Sequence, residues 1–402
     1  MDDGAVDESE SQRDHVSYMP DGIKISKGAH LLGRIASQVD PEAFTRLVSF
    51  WLGKGTNLVL AGLLTETCVQ SVADELASLA DNRALQVLLA RRLFENSAKL
   101  HVFPRTATFT DYCEEVCQNN IRWETLAISF VALGRASIDV PYYPPLYSLQ
   151  AELEAFQKLV TEFADACLEL ALSLGRMGDL LLVCQYENWI LHSVIDGDQS
   201  KPVPRSFWHQ VTYHSIGLNS WRRLGDVISS VLFLGYHQPS KPKPNTPSFL
   251  TDLRETCFAR IYSDDKNVAV FLGRPPRLSS TFCCFRLPQL PLRLTQSDRT
   301  ASDRDASAND AQHLTLFGAE ETITLNTSIR WAALCARLKE KAIEVIHATD
   351  NEETKKQRAA LVPASLFPGH HANATKCFEQ RVDSIVVSAP TTHETRGQPP
   401  HP

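Results

Sequence analysis

The chain has 402 residues, enough for one large domain or two ordinary ones, and its 43% hydrophobic and 22% charged content is that of a soluble globule. Its formal net charge is -7 and no Lys/Arg block exceeds two adjacent residues, which argues against a protein that grips a phosphate backbone unaided. No apolar run reaches membrane-spanning length and the acidic start MDDGAVDESESQRD lacks the features of a targeting segment, so a reducing compartment and ten free thiols are expected.

Residues 1–20 are polar and acidic and read as a disordered tail. A helical domain is expected over 21–361, followed by a second disordered tail over 362–402 that holds His370-His371 and a Pro-rich end. Pro41 to Leu52 reads as a short helix with Phe44, Leu47, Val48 and Trp51 on one side. The Gly53-Lys54-Gly55-Thr56 stretch is not a phosphate loop, which needs Gly where Val48 stands and Ser or Thr where Gly55 stands. Leu58 to Leu79, Arg83 to Leu100, Phe109 to Gln118 and Arg122 to Ser137 carry apolar residues at helical spacing. Val140 to Pro145 marks a connection.

Leu149 to Gly175 is the longest regular segment, with Leu149, Leu153, Phe156, Val160, Phe163, Cys167, Leu170 and Leu174 alternating by four and three. Such a seam serves a homodimeric coiled coil or an intramolecular bundle, and its helical neighbours favour the bundle. Asp179 to Ile195 follows, with Leu182, Tyr186, Trp189 and Ile190 inward. Residues 201–220 hold two prolines, three aromatics and two histidines, His209 and His214, without a period, and read as an irregular insertion. Trp221 to Gly235 carries Trp221, Leu224, Ile228, Val231 and Gly235 in one stripe, and Gly235 is read as permitting a close neighbour.

The most informative stretch comes next. Leu250, Leu253, Cys257, Ile261, Val268 and Leu272 define one long helix, capped by Ser248 or Thr251, ended by Gly273 and blocked by Pro275-Pro276. Asp265 falls on its apolar stripe, where a carboxylate needs a partner. Arg222 and Arg223 are candidates, as is Arg274 if the chain turns back at Gly273. The Asp265-Lys266 pair is then either part of a ligand site or a buried polar clasp, and the clasp is the commoner outcome. Residues 296–311 (QSDRTASDRDASANDA) read as a flexible linker, and Thr327 to His347 as a final helix with Ile329, Ala333 and Ala336 inward. With no strand alternation, the expected class is all-α, a large multi-helix domain of orthogonal or bundle-like packing.

The ten cysteines contain no C-x-x-C, so a zinc cluster is not encoded here. Cys113 and Cys117 lie four apart on one predicted helical face, and vicinal Cys283-Cys284 is expected to pack beside Phe282 and Phe285. H-E-x-x-H, G-x-S-x-G and G-x-G-x-x-G are all absent. No catalytic residue, metal or cofactor is expected.

A family resemblance emerges from several ordered motifs. Leu253-Arg254, Phe258, Tyr262, Asp265-Lys266 and Leu272-Gly273-Arg274-Pro275 resemble the signature of the fungal-specific transcription factor domain, the regulatory middle region of fungal zinc-cluster transcription factors. Trp221-Arg222-Arg223-Leu224-Gly225-Asp226 through Leu234-Gly235-Tyr236-His237 is similar to the preceding family helix, and Arg122-Trp123-Glu124-Thr125-Leu126 through Gly134 to an earlier one. The likeness covers roughly Lys99 to Arg293. It implies a nuclear regulator of RNA polymerase II transcription, working with the transcription machinery or co-regulators and possessing room for a small-molecule effector. DNA would be reached only through a zinc cluster that this sequence does not contain, as in an incomplete gene model or a truncated co-regulator. Trp221, Gly225, Asp226, Arg254, Phe258, Tyr262, Asp265, Gly273, Arg274 and Pro275 form the structural signature. A helical interaction scaffold is the alternative, and an all-α enzyme a weaker one.

Overall fold

A computed structural model of the chain describes residues 21–79, 82–100, 103–195, 218–238, 246–288 and 325–346. The expected tails over 1–20 and 362–402, the linker over 296–311 and residues 201–217 of the expected insertion lie outside the described residues. The described residues are all-α, with one isolated bridge between Tyr143 and Tyr147 and no strand. In chain order the helices are α1 (Gly22–Gln38), α2 (Pro41–Gly53), α3 (Thr65–Leu79), α4 (Arg83–Ala98), α5 (Phe109–Glu114), α6 (Trp123–Asp139), α7 (Gln150–Leu172), α8 (Asp179–Ile195), α9 (Leu218–Phe233), α10 (Ser248–Leu272) and α11 (Leu325–Ile346).

Two helices form the centre. Almost every side chain of α6 is buried, and so is each one from Leu180 to Ser193 on α8. A helix that is buried all round has neighbours on every side. Here α2, α3, α4 and α7 surround α6, while α7, α9 and α10 lie against α8. The two central helices touch at Gly134, where a Cβ would stand 2.8 Å from Leu191, so the backbone approach needs a residue without a side chain. The stretch most informative in sequence is therefore not the mechanical centre. Helix α10 packs against α11 and also touches α8 and α9.

Several segments differ from expectation. No helix is predicted before Pro41, yet Asp21 caps α1 through the Ile23 N–H at 3.1 Å, and Ile25, Ala29, Leu32 and Ile35 bury its inner face. The residues from Leu58 to Leu64 are not helical. Asn57 closes a turn there, donating to the Gly62 carbonyl at 3.0 Å and accepting from Leu58 N–H and the Thr65 hydroxyl at 2.8 and 2.9 Å. Leu58, Leu60 and Leu64 fill the core from this turn, while Leu63 is 78% exposed. Helix α5 ends at Glu114 because the Asn120 side chain donates to its carbonyl at 3.0 Å and Gln118 adopts φ 50°. Cys113 and Cys117 thus share no helix.

The seam of α7 is internal. Leu153, Phe156, Val160, Phe163 and Cys167 are buried within the chain, while Leu149 is 66% exposed just before the helix. Residues 218–220, expected to be irregular, form the first turn of α9, and the Ser220 carbonyl and hydroxyl accept from Trp189 Nε1 at 3.0 and 3.1 Å. Gly235 meets no neighbour at its Cβ position; its φ of 77° is what requires glycine.

Candidate functional site

The carboxylate of Asp265 is paired. It is 3% exposed, and its Oδ1 accepts the Arg277 N–H at 3.0 Å while Oδ2 accepts the Leu278 N–H and Lys266 Nζ, both at 2.9 Å. Lys266 is fully buried. It also donates to the Leu278 carbonyl, lies 3.6 Å from Glu340 Oε2 on α11, and sits 4.1 Å from the centre of the Tyr262 ring. Tyr262 donates to Glu340, which also accepts the Ser280 N–H at 2.7 Å. Burial pushes the Glu340 carboxyl up, but the hydrogen bonds from Tyr262 and Ser280 and the Lys266 charge hold it, on balance, below its ordinary value. The clasp ties the end of α10, the returning chain and α11 together.

The turn at Gly273 occurs as expected, with φ 62° and the Arg274 N–H bonded to the Ala269 carbonyl at 3.0 Å. The helix start differs, since Pro247 precedes the first turn and no side chain caps it. The partners of Asp265 differ too. Arg274 and Pro275 are exposed, and the groups delivered by the turn are the backbone N–H groups of Arg277 and Leu278. Arg277 then reaches α9, donating to the Trp221 carbonyl at 2.7 Å with its guanidinium 4.0 Å from the Trp221 ring centre. It lies so close to Gly225 that a Cβ there would be 3.1 Å from its atoms. Burial lowers the pKa of this arginine, against the opposing charges of Asp265 and the exposed Asp226. Trp221, Gly225 and Asp265 therefore meet through Arg277, a residue the sequence does not single out. Arg223 instead binds Asp165 of α7 at 3.1 and 3.0 Å, beside His192 at 2.9 Å and Asn188 at 2.8 Å. Burial raises the Asp165 carboxyl, but these partners outweigh it and bring it down to about 2. Arg222 is exposed.

Arg254 holds the opposite end of α10. It pairs with both oxygens of Asp179 at the start of α8, each at 2.8 Å, and Tyr236 donates to the same carboxylate. Phe258 is fully buried, with ring centres 6.2 Å from Tyr262 and 4.8 Å from Phe285. Arg254→Ala is expected to cost about 1–2 kcal/mol, a figure held down because the pair is partly open to solvent. Urea denaturation of the variant measures it.

Beside this pair lies a cavity of about 570 Å³. Its wall is built from the chain after α4, Tyr112 of α5, the start of α6, the α7–α8 loop with the first turn of α8, the end of α9 and the first two turns of α10, with Phe285 and Arg286. Arg122 enters it just before α6. This side chain is 4% exposed, donates from one terminal nitrogen to the Lys99 carbonyl at 2.9 Å, and has an Nε buried without a hydrogen-bond partner. Burial lowers the Arg122 pKa, and the nearby Glu124 charge opposes this. Glu124 is itself buried and accepts the Ser97 hydroxyl at 2.6 Å. Arg176 in the α7–α8 loop is half-buried. Leu100, Met177, Leu234 and Phe285 supply apolar wall. Of the sequence-predicted signature, only Arg254 lines this space; Arg122 opens a family-like motif that does not mark it as a cavity residue, and Arg176 and Asp179 belong to none.

Of the remaining thiols most are packed, but the vicinal pair expected to pack beside Phe282 and Phe285 does so only in part. Cys117 lies 3.9 Å from Cys68 in the core, and Cys283 is buried while Cys284 and Phe282 face solvent. Among the described residues, no three His, Cys, Asp or Glu side chains are grouped to hold a metal ion, and no helix is long and apolar enough to cross a membrane. His209, His214 and His370-His371 lie outside the described residues. No protein-family model, curated protein or solved structure matches the chain.

Proposed function

We propose that this chain is the effector-sensing regulatory domain of a transcription regulator of the fungal zinc-cluster type, acting in the nucleus on RNA polymerase II transcription and not as an enzyme. One observation carries the reading. The three segments that bear the ordered family-like motifs, at the start of α6, the end of α9 and the start of α10, converge on the same cavity. Of the motif residues, Arg122 and Glu124, Leu234 and Tyr236, and Arg254 line it. Contact with DNA is assigned to a zinc cluster supplied from outside this sequence, and output to co-regulators or the transcription machinery.

The test fuses the full chain to an unrelated DNA-binding domain upstream of a reporter. The fusion is expected to change reporter output several-fold relative to the DNA-binding domain alone, and Thr251→Trp, which fills the cavity from α10, is expected to alter that change. A fusion indistinguishable from the DNA-binding domain alone overturns the reading. The interaction-scaffold alternative draws on a separate observation: Phe271 is 51%, Phe282 78% and Trp331 51% exposed, apolar surface carried by α10, the chain after it, and α11. On that alternative Thr251→Trp leaves output unchanged while charged substitutions at Phe282 and Trp331 abolish it.

A further inference from the structure

We infer that the cavity takes a small organic anion: a carboxylate or phosphate ester on an apolar body. This rests on the reading of the cavity as an effector site and adds the chemical class of the effector.

The charge balance of the wall points one way. Each of its carboxylates already has a cation. Asp179 is held by Arg254 through two bonds of 2.8 Å, Glu124 acts on Arg122, and Arg286 acts on Glu255. Among the described residues, Lys99 and Arg176 have no carboxylate partner, although Lys99 does donate to Asn96 at 3.0 Å. Excess positive charge in the wall stands out against a chain whose formal net charge is -7.

Backbone geometry adds to this. The long helices α6, α8 and α10 all begin at the cavity, which is lined by Glu124, by Asp179 to Leu181 and by Leu250 and Thr251 in their respective first turns. Helix starts present partial positive charge and N–H groups that lack intrahelical acceptors. At α6 and α8 this charge already meets Glu124 and Asp179, and the Trp123 N–H donates to the Ser97 hydroxyl at 3.0 Å, whereas α10 has neither a side-chain cap nor an acidic residue in its first turn.

An independent sign of an absent acceptor comes from Arg122. The residue is only 4% exposed, and its Nε–H has no hydrogen-bond partner among the described residues. Arg122 lines the cavity with other atoms of its side chain, and a buried donor left unpaired is costly, so a small shift of the guanidinium toward an arriving acceptor recovers that cost. A guanidinium edge matches the paired oxygens of a carboxylate or phosphate. The apolar wall of Leu100, Tyr112, Met177, Leu234 and Phe285 receives the rest of the molecule. The volume of about 570 Å³ falls within the range of about 300–1,000 Å³ usual for small-molecule sites.

The experiment uses thermal shift and calorimetry on the full chain with four probes that share one tail: octanoate, octyl phosphate, octylammonium and octanol. Octanoate or octyl phosphate is expected to raise Tm by several degrees at concentrations where the other two do not, by preferential binding to the folded state. The stronger of the two identifies the headgroup. Arg176→Gln, at a half-buried loop position, is expected to weaken that anion about tenfold. Arg274→Gln, outside the cavity wall, should leave affinity unchanged. The Arg176 variant keeps the test valid even if Arg122→Met fails to fold. Equal or stronger stabilisation by octylammonium or octanol overturns the anion assignment, as does anion binding that Arg176→Gln leaves intact. If those probes bind and Thr251→Trp blocks them, the effector site stands and only its charge class falls. If no probe binds and Thr251→Trp leaves the reporter unchanged, both are overturned.

Discussion

Asp265→Ala is expected to destabilise the fold by about 3–5 kcal/mol, the usual cost of removing one partner from a buried ion pair. Three donors lose their acceptor at once. The N–H groups of Arg277 and Leu278 stand 3.0 and 2.9 Å from the carboxylate, and Lys266 has no exposed surface through which water could replace it. Glu340, 3.6 Å from the ammonium, compensates in part. The returning chain also positions Arg277 on Trp221, so the variant should loosen α9 as well as α11. Urea denaturation followed by circular dichroism measures the loss. Arg274→Ala is the control. That side chain is exposed, and the expected change is within about 0.5 kcal/mol. A loss at Arg274 comparable to that at Asp265 contradicts the account of the clasp.

Glu187→Ala is expected to cost about 2–4 kcal/mol, while Glu187→Gln should be near neutral at pH 7. Glu187 sits in the middle of α8 with no exposed surface, and its Oε1 accepts the N–H groups of both Leu60 and Ala61. Alanine leaves both donors buried and unpaired. Glutamine keeps a carbonyl oxygen in place and removes a charge whose second oxygen has no hydrogen-bond partner. The acid shows itself through pH. Burial raises the Glu187 carboxyl above its ordinary value, against the opposing hydrogen bonds from Leu60 and Ala61 and the charges of Arg135 and Arg260. A carboxyl raised on folding favours the folded state fully below its unfolded pKa near 4.5, and that contribution is lost as pH rises through the folded pKa. The stability of the native chain relative to Glu187→Gln should therefore fall as pH rises above about 4.5. Parallel curves for the two proteins between pH 4 and 8 exclude a raised carboxyl at this position.

These two carboxylates show where sequence reading works and where it stops. Asp265 is conspicuous because it interrupts an apolar stripe of period 3.6 along Leu250, Cys257, Ile261 and Val268, so its burial follows from helix geometry. Which groups satisfy it does not follow. That depends on how far the chain runs past Gly273 before it turns in, and it delivers Arg277 and Leu278 where Arg274 is nearer in sequence. Glu187 gives no such signal. Its helix also carries Gln185, Asn188 and His192, so one more polar residue there looks like part of a solvent-facing strip until Leu60 and Ala61 are seen to close over it. The same long-range contact explains why the leucines from Leu58 to Leu64 form a turn instead of a helix.

Most helices of the described residues are legible from periodicity, because burying one face imposes a repeat that local sequence must carry. Asp179–Ile195 matches its predicted bounds, and α2, α4, α7, α10 and α11 lie within a few residues of theirs. The cysteine spacing, with no C-x-x-C among ten cysteines, is equally local. Only the tertiary structure decides that α6 and α8 are the centre, that the α7 seam is internal, and that three helix starts share a cavity with Arg122 and Arg176. Each of these is a relation between segments far apart in the chain. A side chain's spacing records which face of its own helix is buried, and it holds no record of what the opposing surface brings to meet it.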